Sequence, residues 1–147
     1  MAETQNRFDF EWVRFLGAQM IEAADGRCVM RLRPTSVHLN HNGNVNAPIL
    51  YGLAEFAGAG AVTTGMIDLL TTAYVVVKRA TIDYLAPAHD TVTAVGTVEP
   101  SAFATAKVDV AAGLPVDVTA DVEITDDTGR VTTQVNITVT VRPKRTA

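Results

Sequence analysis

The stretch APILYGLAEFAGAGAVTTGMI, residues 47–67, decides how the rest of this chain is read. It is apolar nearly all round, and Glu55 is its single charged group. A helix of that kind is buried on most sides. Pro48 suits its first turn, where a missing N–H costs nothing. Glu55 interrupts the run and glycine and threonine dilute it, which predicts a buried helix of a soluble protein and not a membrane span. Gly58, Ala59 and Gly60 fall inside the helix, so they predict close packing and not a phosphate loop.

On both sides of this helix the pattern turns to strands. Val116, Val118, Ala120, Val122 and Ile124 alternate with Asp117, Thr119, Asp121, Glu123 and Thr125. That is a strand with one buried and one wet face. Asp126-Asp127-Thr128-Gly129 makes the turn, and Val131, Val135, Ile137, Val139 and Val141 carry the return strand, with Thr133 in one inward slot. Further strands are predicted over 73–86, 90–99 and 104–112, broken by Pro87, Pro100 and Gly113-Leu114-Pro115. Ahead of the helix, Asp25-Gly26 joins strands 18–24 and 27–33 as a hairpin, which Pro34 ends. Phe8, Trp12, Phe15 and Leu16 stand at spacings of three and four, predicting a short amphipathic helix over a sheet edge, ended by Gly17. The order predicts an α+β fold, one antiparallel sheet wrapped around one long central helix, with residues 1–147 as a single domain, 1–17 as its N-terminal helix and 143–147 as a short basic tail.

Composition narrows the function. With 48% hydrophobic and 19% charged residues the chain can bury a core. A net charge of −4 with scattered basic residues lacks the positive field that nucleic-acid binding needs. The segment MAETQNRFDFEWVRF has acids and aromatics where an export signal needs a basic start and an apolar run, so a cytoplasmic protein is expected. The sequon at Asn136-Ile137-Thr138 then carries no weight. Cys28 is a lone cysteine that alternates with Met30 and Leu32, the position of an inward core thiol. His38, His41 and His89 lack paired ligand spacings, so no metal site is expected.

Two features carry chemistry. A carboxylate within an apolar helix is costly unless it is paired, hydrogen-bonded or reacting. Glu55 is therefore either a reacting group or a partly exposed acid paired with an arginine. The loop His38-Leu39-Asn40-His41-Asn42-Gly43-Asn44-Val45-Asn46 holds four asparagines and two histidines and runs straight into the helix N-terminus. Free N–H groups there can stabilise the oxyanion of an acyl carbonyl, while Asn46 can equally serve as a helix cap.

Asn40 to Pro48, followed by Leu53-Ala54-Glu55, resembles the signature region of the hotdog-fold thioesterases, particularly the phenylacetate-pathway and 4-hydroxybenzoyl-CoA thioesterase group. Ala80-Thr81-Ile82-Asp83-Tyr84-Leu85-Ala86-Pro87-Ala88 is similar to the strand and proline that follow the helix in that family, and the likeness spans roughly residues 15 to 142. The resemblance implies an acyl-CoA thioesterase without a cofactor. Glu55 would be nucleophile or general base, Asn40 the polar side chain near the attacking water, and Ala47 the residue whose backbone N–H polarises the carbonyl. Asn46-Ala47-Pro48 stands where the family more often reads His-Gly-Gly, and Pro48 has no N–H to offer. Among basic groups for the CoA portion the resemblance suggests Lys78, Arg79, Arg142 and Lys144, with His41 also near the substrate. Two other hotdog readings remain: a dehydratase using His41 and Glu55, fourteen residues apart, and a non-catalytic acyl-CoA-binding protein. A homodimer or homotetramer with shared active sites is expected, because Glu55 lies roughly 12 Å along the helix from Ala47 and cannot meet the same carbonyl from one chain.

Overall fold

The computed structural model describes residues 9–145; residues 1–8, Phe8 among them, and the last two residues of the basic tail lie outside the described part. Its elements run α1 (Glu11–Leu16), β1 (Ala18–Ala24), β2 (Arg27–Leu32), α2 (Ala47–Gly65), β3 (Ala73–Tyr84), β4 (Val92–Thr97), α3 (Pro100–Ala111), β5 (Val116–Thr125) and β6 (Val131–Pro143). The strands make one sheet of six in the order β1-β2-β4-β5-β6-β3, antiparallel at every pairing.

The expected alternation decides which face meets the helix. Cys28, Met30 and Leu32 of β2, Ala94 and Gly96 of β4, Val118 to Ile124 of β5, and Val135 to Val141 of β6 turn their alternate residues onto α2. Leu53, Ala54, Ala57, Ala61 and Val62 of α2 are fully buried against them. Small residues set the distance between the layers. A Cβ added at Gly58 would lie 2.9 Å from Ile137, and one at Gly96 would lie 2.3 Å from the Ala57 carbonyl oxygen, so helix and sheet backbones are in near contact. The Asp25-Gly26 hairpin forms as expected, with φ of 48° and 81°, the pair of positive values that a twisted two-residue turn demands.

The strand expected over 104–112 is a helix instead. Thr105, Lys107 and Asp109 alternate with Ala106, Val108 and Val110, which imitates a half-buried strand. The helical period wins because Phe103, Ala106 and Val110 share one face and are buried, whereas Val108 is 69% exposed. Pro100 begins this helix and does not merely break a strand. Phe103 then seats between two glycines: a Cβ at Gly26 or Gly65 would come within 2.5 Å or 2.0 Å of its ring.

At the N-terminus the buried face of α1 is Val13 and Leu16; Phe15 is 87% exposed, contrary to the expected face. Trp12 leans on the long helix, where its ring stacks on Phe56 at 5.2 Å and covers Gly52. In β6, a register shift opposite Ile124 and Thr125 inserts Thr132, so Thr132 and Thr133 are both buried.

Candidate active site

The loop between β2 and α2 is built by its own polar residues. Thr35 and His38 form a reciprocal cap, with the Thr35 N–H donating to His38 Nδ1 at 2.8 Å. That acceptor role puts the proton on His38 Nε2, which donates to the Leu16 carbonyl at 2.9 Å. His38 is thus buried and structural, tying the end of α1 to the loop. Farther on, Asn40 Oδ1 accepts the N–H groups of Asn42 and Asn44 at 2.9 Å and 3.1 Å, and Gly43 turns the chain with φ of 76°. Leu39 bridges Val45, the Val45 N–H donates to the Ala88 carbonyl, and Asn46 brings the chain into the helix. Asn46 occupies the cap position, but its side chain makes no capping bond.

These residues line a cavity of about 340 Å³ together with the end of β3: Asn40, Asn44, Ala47, Leu50, Tyr84 and Leu85 are among its walls. The structure therefore brings Asn40 and Ala47 together. With both backbone donors on Oδ1, Asn40 has only its amide N–H₂ left to offer the cavity. The Ala47 N–H starts the helix, where no i−4 carbonyl is available, and among the described residues no acceptor is assigned to it. Asn44 Oδ1 is buried with no partner among the described residues.

Glu55 stands apart from that cavity, on the strip of α2 that the sheet leaves uncovered. Tyr51, Glu55, Ala59 and Thr63 recur every fourth residue and are all half-buried. Among the described residues Glu55 has neither an ion-pair nor a hydrogen-bond partner, so the arginine pairing that the sequence left open is not formed. Tyr51 lies one turn from both Ala47 and Glu55. Its phenol is pushed above the ordinary value by burial first, then by the negative charge of Glu55 and by Tyr84. Tyr84, its own phenol raised by burial, donates its hydroxyl to the Ala47 carbonyl at 3.2 Å. The sequence reading missed both tyrosines. The four-residue spacing of Ala47, Tyr51 and Glu55 was the available signal for one of them; Tyr84 arrives through strand geometry that local pattern does not reveal.

The other candidates are placed elsewhere. His41 is exposed in the turn between Asn40 and Gly43 and does not line the cavity. Lys78 and Arg79 lie at a register shift of β3, on the sheet face away from the helix. Lys78 is committed to Asp117, reaching across β6, and Thr140 donates to the same carboxylate at 2.6 Å. Lys144 donates to the Leu70 and Thr71 carbonyls. Among the described residues no three His, Cys, Asp or Glu side chains group as metal ligands, and no helix is long and apolar enough to cross a membrane.

A six-stranded antiparallel sheet wrapped on one long helix, with a polar loop delivering the helix N-terminus, is the hotdog fold. Within it, the chain belongs to the family described as a domain of unknown function, DUF4442, which matches residues 10–141. No curated protein matches the chain. Among solved structures it is similar to a Pseudomonas aeruginosa protein of unknown function named "probable thioesterase", with a TM-score of 0.84 at 18% identity over 97% of this chain and 95% of that one. It is also similar to the E. coli PaaI protein from the phenylacetic acid degradation operon, with a TM-score of 0.73 at 19% identity over 98% of this chain and 91% of that one. At these identities the likeness establishes the fold.

Proposed function

We propose that the chain, acting as one domain over residues 1–147, is a cytoplasmic acyl-CoA thioesterase that works as a homodimer or homotetramer with shared active sites. The observation that carries this reading is Glu55, a half-buried carboxylate without a partner among the described residues, on the open strip of an otherwise apolar helix. An acid placed there gains nothing for stability and is available for chemistry. The named thioesterase among structures of the same fold supports the same class of reaction.

In this mechanism the thioester carbonyl oxygen is held by the Ala47 N–H at a helix N-terminus. Glu55 takes a proton from water, the new C–O bond forms, and collapse of the tetrahedral intermediate breaks the C–S bond. The leaving thiolate recovers the proton from Glu55. Direct attack by Glu55 through an acyl anhydride, later hydrolysed, uses the same groups. Asn40 contributes a donor, its N–H₂, to the water or carboxylate. Tyr51, one turn along the helix from Ala47, stays protonated and offers a hydroxyl on the carbonyl side of the site. Ala47 and Glu55 lie roughly 12 Å apart along one helix, so the two halves of a site come from two chains. β3 suits the joint: it is a twelve-residue edge strand, whereas the opposite edge, β1, has seven residues.

Glu55→Gln tests the assignment, since it keeps shape and removes the base. Across a panel of short, long and aromatic acyl-CoA esters, kcat should fall roughly a hundredfold to ten-thousandfold while folding is retained. A variant with half the wild-type rate overturns the role of Glu55, and wild-type binding without turnover supports the non-catalytic reading. Mixing Glu55→Gln with Ala47→Trp chains should restore up to one working site in two if sites are shared.

A further inference from the structure

The outer face of β2 carries a feature that neither the loop nor Glu55 explains. Arg31 sits on it and Arg33 lies just past the strand's end, with the fully buried Leu32 between them, and both arginines are exposed and line one concavity. Among the described residues neither is in an ion pair, whereas Arg14, Arg27, Lys78, Lys107 and Arg130 all hold carboxylates. Arg79, Arg142, Lys144 and Arg145 are likewise outside the ion pairs, but Arg31 and Arg33 are two such cations that line one concavity together.

The strand register adds donors around them. Gln19 of β1 and Thr93 of β4 pair with Arg31 from either side, making a Gln19-Arg31-Thr93 row across three strands. These residues, with Gly17, Arg33, Thr91 and Asp127, line a concavity of about 590 Å³. Asp127 is the one carboxylate among the lining residues, so two arginines less one aspartate leave a net charge of +1. A guanidinium fork matches phosphate oxygens in a bidentate way that a lysine cannot reproduce.

The concavity also lies beside the candidate active site. Thr91 is three residues after Ala88, which lines the Asn40 and Ala47 cavity and accepts the Val45 N–H. Three residues of extended chain span roughly 10 Å at most. A pantetheine arm is long enough to cross that distance.

We infer that the Arg31 and Arg33 concavity binds the phosphate groups of the thiol carrier, which makes the substrate a thioester of a phosphorylated carrier and not of a simple thiol. This inference rests on the thioesterase reading, but its binding arm stands independently of it. Coenzyme A presents phosphates on its nucleotide, and a carrier protein presents one on its phosphopantetheine, so the test separates the two.

One arm measures binding of adenosine 3′,5′-bisphosphate to the intact wild-type protein and to Arg31→Ala/Arg33→Ala by calorimetry. Binding by the wild type that weakens about tenfold or more in the variant, and weakens with added salt, is the expected result. The other arm compares one acyl group on CoA, on phosphopantetheine and on N-acetylcysteamine. The variant should lose about tenfold in the ratio of kcat/KM for the CoA ester over the N-acetylcysteamine ester, with most of the change in KM. If the phosphopantetheine ester loses as much as the CoA ester, the phosphate held is the one next to the pantetheine, as in a carrier protein. Bisphosphate binding and ester selectivity unchanged in the variant would overturn the site. Absence of hydrolysis in the wild type would count against the thioesterase reading alone, because the bisphosphate arm still reports on the arginines.

Discussion

Replacing Gly96 by alanine tests the contact that holds the long helix against the sheet. The added Cβ would stand 2.3 Å from the Ala57 carbonyl oxygen, 2.5 Å from its carbon and 2.9 Å from the Gly58 nitrogen. Ordinary non-bonded carbon contacts lie near 3.5 Å or more, so something must move by about 1 Å. No flexible side chain is there to yield, because the atoms encountered are helix backbone. The helix is braced on its neighbouring face, where Gly58 lies against Ile137 and Val122. Overpacking typically costs about 1–3 kcal/mol, and a backbone obstacle places this change at the upper end, about 3 kcal/mol. The gain in strand preference for alanine over glycine returns only about 0.5–1 kcal/mol. Gly129→Ala is the control, since its Cβ would meet nothing within 4 Å and its cost comes from a φ of 83° alone, about 1–2 kcal/mol. Urea unfolding at one fixed protein concentration should show the Gly96→Ala midpoint lowered by more than about 1 M, and by more than the control. Loss of less than about 1 kcal/mol in Gly96→Ala would refute the close backbone contact.

Two further outcomes follow from the titrating groups. The Cys28 thiol is pushed up to about 12 by burial and, secondarily, by Glu22, so the native thiol stays protonated at pH 8; iodoacetamide should modify it at least about a thousandfold more slowly in the folded than in the unfolded protein, and equal rates would contradict its burial. Asp117 is held below its usual 3.8 by hydrogen bonds from Lys78 and then Thr140, so its contribution is present above the unfolded value and is lost as pH falls through the lower folded one. Asp117→Asn should therefore destabilise by under about 1 kcal/mol at pH 7 and by progressively less as pH falls below the unfolded value in urea titrations, and a gap that does not narrow at acid pH would refute that account.

The long helix and most strands were legible because each carries one strong period. Residues 47–65 are apolar around nearly the whole circumference, and 116–125 alternate without a fault, so burial and geometry demand the same answer. Residues 104–112 were misread because both periods fit the same letters: an alternation of valine and charge competes with a stripe of Phe103, Ala106 and Val110. Only contact decides between them, and Phe103 finds its place against Gly26 and Gly65, residues far away in sequence. The helix α1 and its end at Gly17 were legible, but its buried face was partly misread on the same ground. Trp12 and Phe15 look like a core face by size, but the short helix buries Val13 and Leu16 and lends Trp12 to Phe56 of another element.

For the site, the difference between legible and hidden residues is one of which neighbour supplies the physics. Glu55 could be singled out because its surroundings are its own helix, and a carboxylate among aliphatic residues is anomalous wherever the sheet lies. A charged residue on a strand has no such local signature, since its state depends on what stands across the ladder. Lys78 was a reasonable candidate for an anionic substrate, yet the register carries Asp117 within its reach and spends its charge. Arg31 carried no signal in the sequence, yet the register sets Gln19 and Thr93 beside it, neither of which can neutralise it. The same pairing rule thus removes one cation from the chemistry and leaves another open to a phosphate. The candidate acid is found from helix period, whereas the candidate anion site is found only once strand order and register are known.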